Sequence, residues 1–300
     1  MIMTTAPWSA GTEPARATLP EGSVDCHHHI YDTRFAYHPE ADYRPPDATV
    51  AHYRQLRARL GTARSVIVQP SSYGVDNACL CDALASMGDS ARGVAVIDAG
   101  TSRETLRALD ASGVRGIRFN LARPAGAGVE QLELLAGRVA DLGWHVQVHA
   151  LGRDYPALET RLAGLPTPLV IDHLGRIPQP DARAHPAWAA LRRLVDKGRT
   201  WIKLSGVDHD SVDGAPTYVD GGDLVRGWIG AAPQRVVWGT DWPHVSAIMN
   251  PDKSLPDDAS ILDLFHGWMA TPEQRQAIFV DNPCELYGFE PPAQSRAGAG

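Results

Sequence analysis

Short apolar runs alternate with amphipathic stretches along the chain, and this alternation limits the possible folds more than any other feature. Eight such runs occur, at 24–30, 65–70, 93–98, 114–120, 145–150, 169–173, 201–205 and 236–241. Most are short and rich in β-branched residues, as the buried strands of parallel sheets are. Eight strand–helix units in one undivided chain of 300 residues predict an α/β fold, a single-domain (β/α)8 TIM barrel.

The stretches between the runs carry helix signals. Residues 101–104 read Thr-Ser-Arg-Glu, a capping-box pattern, and Gly113 follows the helix that it predicts. Gly88, Gly143 and Gly198 each follow a further amphipathic stretch. The alternative fold is an open doubly wound sheet. Since no Gly-x-Gly-x-x-Gly pattern follows the first run, dinucleotide binding lacks support.

The two ends of the chain differ in composition from the rest. Residues 1–22 are rich in Ala, Thr, Pro and Gly and are predicted to form an N-terminal arm, which could pack on a neighbouring copy or fray. Residues 290–300 are predicted to form a short flexible tail. Between them, no linker divides residues 23–289, which we assign to one barrel domain. The oligomeric state is left open.

Charge and composition exclude several classes of protein. With 28 Lys and Arg against 35 Asp and Glu, the net charge of −7 argues against nucleic acid as the main partner. No apolar run approaches the roughly 20 residues that span a bilayer, and the first 20 residues lack the apolar core of a secretory signal. The four cysteines form no Cys-x-x-Cys pair and are expected to be reduced. A cytoplasmic protein without a membrane partner is therefore expected.

Polar side chains fall late in the first predicted strand. Because successive side chains of a strand point to opposite faces, Asp25, His27 and His29 are predicted to share one face. Cys26 and His28 would then share the other face. Two imidazoles spaced in this way can reach one metal ion or one substrate oxygen.

The same periodicity groups polar residues on five later strands. The predicted pairs are Arg118 with Asn120, Gln147 with His149, Ile171 with His173, Lys203 with Ser205, and Gly239 with Asp241. The carboxyl ends of the strands of such a barrel form the rim where active sites are built. Burying many titratable groups is costly unless they meet a metal, each other or a ligand, so an active site is predicted there.

Three segments carry a resemblance to a known family. VDCHHHIYD, VIDHLGR and VVWGTDWPH resemble the signature segments of the amidohydrolase-related (amidohydrolase 2) family of TIM-barrel hydrolases. Within that family, VIVQPSSYGVDN and LGWHVQVH are similar to segments of 2-pyrone-4,6-dicarboxylate lactonases, and KLSGV is similar to a segment of galactarolactone isomerases. The likeness runs from about residue 24 to residue 289.

The resemblance implies roles for individual residues. His27 and His29 correspond to the family's paired histidines, His173 to its sixth-strand histidine, and Asp241 to its eighth-strand aspartate. Arg118 corresponds to an arginine that binds substrate in the lactonases. The isomerases have asparagine at the position of Asp241, so a base that activates water is retained here.

The chain also departs from the lactonase pattern. His149 stands where the lactonases have tyrosine, and Pro124 and His209 stand where they have two arginines. Two missing cations argue against a substrate with two carboxylates, because each buried carboxylate needs a charged partner. His185, His244 and His266, like His209, are placed near or outside the rims.

These residues predict a hydrolase that opens the ester bond of a small carboxylated lactone, derived from a sugar acid or from aromatic degradation. Asp241 would act as general base on water. His27, His29 and His173 would polarise the carbonyl. The predicted substrate-binding residues are Arg118, Asn120, His149, Arg176, Ser72, Tyr73 and Gln69.

Alternatives stay open at this point. A lactone isomerase would use a substrate hydroxyl in place of water, and decarboxylase or hydratase chemistry fits the same scaffold. A small-molecule binding protein is a further alternative.

The cofactor is open as well. His27, His29, His149, His173 and Asp241 could hold one Zn²⁺, or the cluster could work without metal. In the metal-free case the histidines are expected to titrate near neutrality, so that activity falls at low pH.

Overall fold

Eight parallel strands pair side by side in chain order in the computed structural model, which describes residues 5–122, 127–250 and 252–292. The strands are β1 (Val24–His28), β2 (Arg64–Val68), β3 (Ala91–Ala95), β4 (Val114–Asn120), β5 (His145–His149), β6 (Leu169–Ile171), β7 (Thr200–Leu204) and β8 (Val236–Trp238). The α-helices of the described ranges are α1 (Val50–Leu60), α2 (Ala78–Met87), α3 (Arg103–Ala111), α4 (Leu132–Ala140), α5 (Tyr155–Ala163), α6 (Pro186–Asp196), α7 (Val219–Ala231), α8 (Val245–Ile248), α9 (Asp258–Trp268), α10 (Pro272–Gln276) and α11 (Asn282–Tyr287). The predicted (β/α)8 barrel is confirmed.

The barrel closes where the segment after β8 meets β1. The backbone N–H of Asp241 donates to the carbonyl of His27, and the N–H of His29 donates to the carbonyl of Trp242, both at 2.8 Å. Gly239 permits this approach, because a Cβ atom there would lie 2.6 Å from the backbone nitrogen of His27. The closure therefore places Asp241 directly beside the histidines of the first strand.

Several strands end earlier than the apolar runs predicted. β4 has the predicted bounds, whereas β6 and β8 each end after three residues. Beyond these ends the backbone leaves the extended region, and His173 (φ 50°) and Asp241 (φ 65°) adopt left-handed conformations that are uncommon outside glycine. The hydrogen bonds of β6 and β8 with their neighbouring strands thus end just before the polar residues His173 and Asp241.

Three of the predicted face assignments differ from the structure. Cys26 lies in the barrel interior with Val24, whereas His28, predicted to share its face, stacks on Tyr53 of α1. The pairing of β1 with β2 is irregular between Asp25 and His28, and Asp25 faces α1, where it accepts a hydrogen bond from Tyr53 at 2.9 Å. On β6, Asp172 points into the barrel, whereas Ile171 packs in the core between the sheet and the helices. The simple period of two fails at both places because the strand is interrupted there.

The lower part of the barrel interior is apolar. Its buried side chains are those of Val24, Cys26, Val66, Val68, Val94, Val170, Trp201, Val237, Tyr287 and Phe289. Tyr287 and Phe289 come from the chain after β8, so the end of the described chain packs against the interior layer. Toward the carboxyl ends of the strands, the side chains that face the barrel interior are polar.

The described part of the predicted arm, from residue 5, lies against the barrel of the same chain. The indole of Trp8 donates to the carbonyl of Asp47, and the indole of Trp242 donates to the carbonyl of Pro7, both at 2.8 Å. Arg59 of α1 donates to the carbonyl of Ala10 at 2.8 Å. Of the predicted tail, residues 293–300 lie outside the described residues.

Local signals agree in part with the structure. Ser102 caps α3 by accepting a hydrogen bond from the backbone of Thr105, so the partner is not the predicted Glu104. All four cysteines carry free thiols. Among the described helices, none has the length and the apolar content that a bilayer crossing requires.

Candidate active site

A cavity of about 180 Å³ opens at the carboxyl ends of the strands, the end of such barrels that carries active sites. Seven of the predicted site residues line it, namely His29, Arg118, Asn120, His149, His173, Arg176 and Asp241. His27 is fully buried directly beneath them. Residues from five strands and their following loops therefore meet at one place.

The carboxylate of Asp241 lies at the centre of the histidine cluster. Its Oδ1 atom is 3.5 Å from Nε2 of His27, 3.5 Å from Nε2 of His29 and 3.7 Å from Nε2 of His173. Its Oδ2 atom is 2.8 Å from Nε2 of His209. One carboxylate oxygen is thus held by His209, and the other faces three imidazoles.

Two of these imidazoles are oriented through their other ring nitrogen. Nδ1 of His29 lies 2.8 Å from the carbonyl oxygen of Val68, and Nδ1 of His173 lies 3.0 Å from the hydroxyl of Ser205. Such contacts fix the ring plane and the tautomer of a histidine. Both rings therefore direct Nε2 toward Asp241.

A layer of buried charges lies below the cluster. Asp172 accepts a hydrogen bond from Nε of Arg118 at 3.0 Å, and the ammonium of Lys203 lies 4.0 Å from its other oxygen. Burial raises the pKa of Asp172, but the charges of Arg118 and Lys203 outweigh it and hold that pKa well below its usual value. Burial lowers the pKa of Lys203 to about 8, so this side chain is still cationic at neutral pH.

A second charged group forms the wall beside His149. Arg176 donates to both oxygens of Asp210, at 2.7 and 3.2 Å. The ring nitrogens of His149 lie 3.1 Å from Arg176 and 3.3 Å from Arg118. Burial, together with His173 and Arg118, lowers the pKa of His149 well below its usual value. His149 thus faces two guanidinium groups and is turned away from Asp241.

Three predicted substrate-binding residues do not line the cavity. The hydroxyl of Tyr73 is bonded to the backbone of Asp32, and Ser72 donates to the carbonyl of Tyr43 at 3.0 Å. Gln69 is fully buried. The short turn after β2 directs these side chains into the protein, and Tyr43 takes their place on the cavity wall.

Sequence reasoning gave no role to several residues that the structure places in or below the site. His209 contacts Asp241, Lys203 and Asp172 lie beneath the cluster, and Lys253 lines the cavity. The inward face assigned to Lys203 was a usable signal. His209 had a weaker signal, because it stands where the lactonases have an arginine, but periodicity does not predict the turn that brings it to Asp241. Pro124 lies outside the described residues.

The charge states of the cluster follow from burial and from its contacts. Burial and the charge of Lys203 lower the pKa of His27 to about 3, and burial lowers that of His173 well below its usual value. Burial works against ionisation of Asp241, but His173 and the hydrogen bond from His209 hold its pKa well below its usual value. Burial also opposes the charge of His209, yet Asp208 and Asp241 raise its pKa above 6.5. At neutral pH the cluster therefore combines an ionised carboxylate with neutral His27 and His173.

These charge states change the expected pH dependence. The sequence predicted that activity would fall as the pH drops below neutrality. His27, His173 and Asp241 do not titrate near neutrality, because each has a lowered pKa. We expect kcat/KM to stay within about twofold from pH 5 to pH 7. Initial rates on a lactone substrate, corrected for spontaneous hydrolysis at each pH, measure this directly. An acid limb centred near pH 6.5 would show that an accessible histidine must be neutral for turnover.

The barrel and its rim of histidine, aspartate and arginine define the class of this protein: a TIM-barrel protein with a cluster of titratable residues at the carboxyl ends of its strands. The family model described as Amidohydrolase matches residues 24–289, and the chain belongs to this amidohydrolase family.

Individual relatives cover almost the whole chain. A 2-pyrone-4,6-dicarboxylate hydrolase of Comamonas testosteroni is 36% identical over 93% of this chain and 94% of its own length. A D-galactarolactone isomerase of Agrobacterium fabrum is 33% identical over 94% of this chain and 96% of its own. The crystal structure of a probable 2-pyrone-4,6-dicarboxylic acid hydrolase of Acinetobacter baumannii with bound citric acid is 25% identical, with a TM-score of 0.79, and covers 89% of this chain and 100% of that one.

Proposed function

We propose that this protein is a lactonase, which hydrolyses the ring ester of a small carboxylated lactone. The observation that carries the proposal is the carboxylate of Asp241 at the cavity floor, held ionised by His209 at 2.8 Å. A relative named as a lactone-ring hydrolase, 36% identical over 93% of the chain, supports the same reaction class.

The reaction has two proton transfers, and Asp241 is suited to both. Asp241 takes a proton from water as the water oxygen attacks the lactone carbonyl carbon. The carbonyl oxygen becomes an oxyanion, which needs hydrogen-bond donors placed in advance. When the ring C–O bond breaks, protonated Asp241 returns its proton to the leaving alkoxide, and the product is a hydroxy carboxylate.

His173 is the best placed donor for the oxyanion. Its Nε2 lies 3.7 Å from Asp241 and borders the cavity, and the hydroxyl of Ser205 can donate to its Nδ1 at 3.0 Å. A ring that accepts at Nδ1 carries its hydrogen on Nε2. His29 contacts the same oxygen of Asp241 from the first strand.

The substrate anion has cationic partners on the opposite wall. Arg118, Arg176 and Lys253 line the cavity. Asp172 and Asp210 already neutralise much of the charge of the two arginines, at 3.0 and 2.7 Å. A single carboxylate on the ring therefore suits this wall better than two.

The candidate cofactor is a divalent metal ion. The donor atoms of His27, His173 and Asp241 lie within 4.8 Å of one another, a spacing that suits a tetrahedral Zn²⁺ with ligands about 2 Å from the metal. The contacts of His27 fit a metal ligand poorly, because its Nδ1 lies 3.3 Å from the ammonium of Lys203, a group that can only donate. We therefore assign the chemistry to the side chains themselves.

Turnover of a lactone panel in H₂¹⁸O tests the proposal and separates it from its alternative. A lactone isomerase is that alternative, because a D-galactarolactone isomerase is 33% identical to the chain. Hydrolysis places one ¹⁸O atom in the product carboxylate and releases an acid, whereas intramolecular acyl transfer does neither. Mass spectrometry of the product detects the label. Isomerised lactone without label would overturn the hydrolase proposal, and no conversion of any carboxylated lactone would overturn both.

A further inference from the structure

Lys203 is buried inside the barrel, below the site, with no exposed surface. Its ammonium donates to the carbonyl of Cys26 at 2.8 Å and lies 3.3 Å from Nδ1 of His27. The ring of Tyr287, which belongs to the apolar lower part of the barrel interior, lies 5.9 Å from the ammonium. The proposed reaction gives this lysine no part.

The ammonium decides which nitrogen of His27 carries the hydrogen. An ammonium group has three donors and no acceptor, so Nδ1 of His27 faces it as an acceptor. A neutral ring that accepts at Nδ1 carries its hydrogen on Nε2. The competing partner is Asp172, whose Oδ1 is 3.4 Å from the same Nδ1, slightly farther than the ammonium at 3.3 Å.

The neighbouring ring supplies the acceptor that this tautomer requires. Nδ1 of His29 faces the carbonyl of Val68 at 2.8 Å, and since a carbonyl only accepts, Nδ1 carries the hydrogen there. Nε2 of His29 is then an acceptor, 3.3 Å from Nε2 of His27. The partners assign one consistent chain of donors and acceptors from Lys203 through His27 and His29 to Val68.

We infer that Lys203 is a positioning residue: it fixes His27 as the Nε2–H tautomer, which makes His27 a hydrogen-bond donor to His29 and Asp241 and weakens its ability to bind a metal ion. A metal ligand needs a lone pair at the coordinating nitrogen, and it usually donates its other ring N–H to an acceptor. His29 has a partner of that kind in the carbonyl of Val68, whereas His27 has an ammonium. The catalytic consequence rests on the proposed function, but the tautomer and the metal affinity do not.

The tautomer can be measured in the whole protein. Long-range ¹H–¹⁵N correlation spectra of protein labelled with ¹⁵N-histidine report the protonated nitrogen of each ring, and a His27→Gln sample assigns the His27 signals. We expect an unprotonated Nδ1 and a protonated Nε2 for His27. A protonated Nδ1 in the wild-type protein would overturn the inference. The tautomer is read in the wild-type protein once its His27 signals are assigned, so the test does not depend on the folding of a lysine variant.

Two variants of similar shape test the cause. Lys203→Met removes the donor and fills the same space, so we expect the hydrogen of His27 to move to Nδ1 and face Asp172. Equilibrium dialysis against Zn²⁺, with metal analysis, should then show binding about 10- to 100-fold tighter than in the wild-type protein. Asp172→Asn replaces the competing carboxylate with a neutral amide, a weaker acceptor, and should leave the Nε2–H tautomer in place. An unchanged tautomer and unchanged Zn²⁺ affinity in Lys203→Met would overturn the assignment. Failure of the lactonase proposal would leave both readouts as they are.

Discussion

Replacing Asp241 with Asn is expected to lower kcat for lactone hydrolysis by about three orders of magnitude, the scale of losing a positioned general base. Asn has nearly the same shape and can keep a contact with Nε2 of His209, 2.8 Å from the carboxylate. It cannot take a proton from water or return one to the leaving alkoxide. The loss should therefore appear in kcat, with a small change in KM, since the groups that hold the substrate anion stay in place.

A matched control separates the chemistry from the loss of a charge. Asp196 lies on α6, where it pairs with Arg192 on the outer surface at 2.9 Å. Asp196→Asn makes the same chemical change far from the cavity and should keep wild-type kcat. Steady-state rates and thermal unfolding of both variants check that the fold is intact. More than a tenth of wild-type kcat in Asp241→Asn would remove Asp241 from the role of base.

The second large effect is expected on stability, from Asp25→Ala. The carboxylate of Asp25 accepts four hydrogen bonds, from the backbone of His27 (3.1 Å), the backbone and hydroxyl of Thr240 (3.0 and 2.8 Å) and the hydroxyl of Tyr53 (2.9 Å). Alanine would leave these buried donors without a partner, at a cost of at least about 3 kcal/mol in the free energy of unfolding. Tm should fall by about 5 °C or more, because a chain of 300 residues has a large entropy of unfolding.

Tyr53→Phe is the control for this prediction, because it removes a single hydrogen bond and keeps the other three. Its cost should be about 1 kcal/mol. Urea unfolding followed by circular dichroism gives both values, and the double variant shows whether the bonds act together. A cost for Asp25→Ala no larger than that for Tyr53→Phe would mean that Asp25 does not hold the junction between β1 and the end of β8.

Much of the fold follows from local pattern. The eight apolar runs predict the eight strands, and the polar residues at their ends predict a site at the carboxyl rim. Arg118 and Asn120 on β4 and the pair Lys203 and Ser205 on β7 have the predicted inward orientation. Side-chain alternation is a property of the strand itself, so it can be read without knowing the neighbouring strand.

The period of two fails where the strand is interrupted. Asp25 was grouped with His27, yet an irregularity in β1 turns it toward α1. Gln69, Ser72 and Tyr73 follow β2 and were predicted to line the cavity. Their side chains are instead buried in the protein beside the short turn after β2, away from the cavity. Turns and bulges depend on the hydrogen bonds of adjacent segments, which lie far away in the sequence.

The sequence by itself determined the barrel, the end of it that carries the site, and the residue types that meet there. Only the tertiary structure decided which atoms face each other. His209 reaches Asp241 across 32 positions of the chain, and Lys203 reaches His27 across 176. The physical reason is that periodicity is set within a strand, whereas charge states and tautomers depend on contacts that form when β1 and the end of β8 close the barrel.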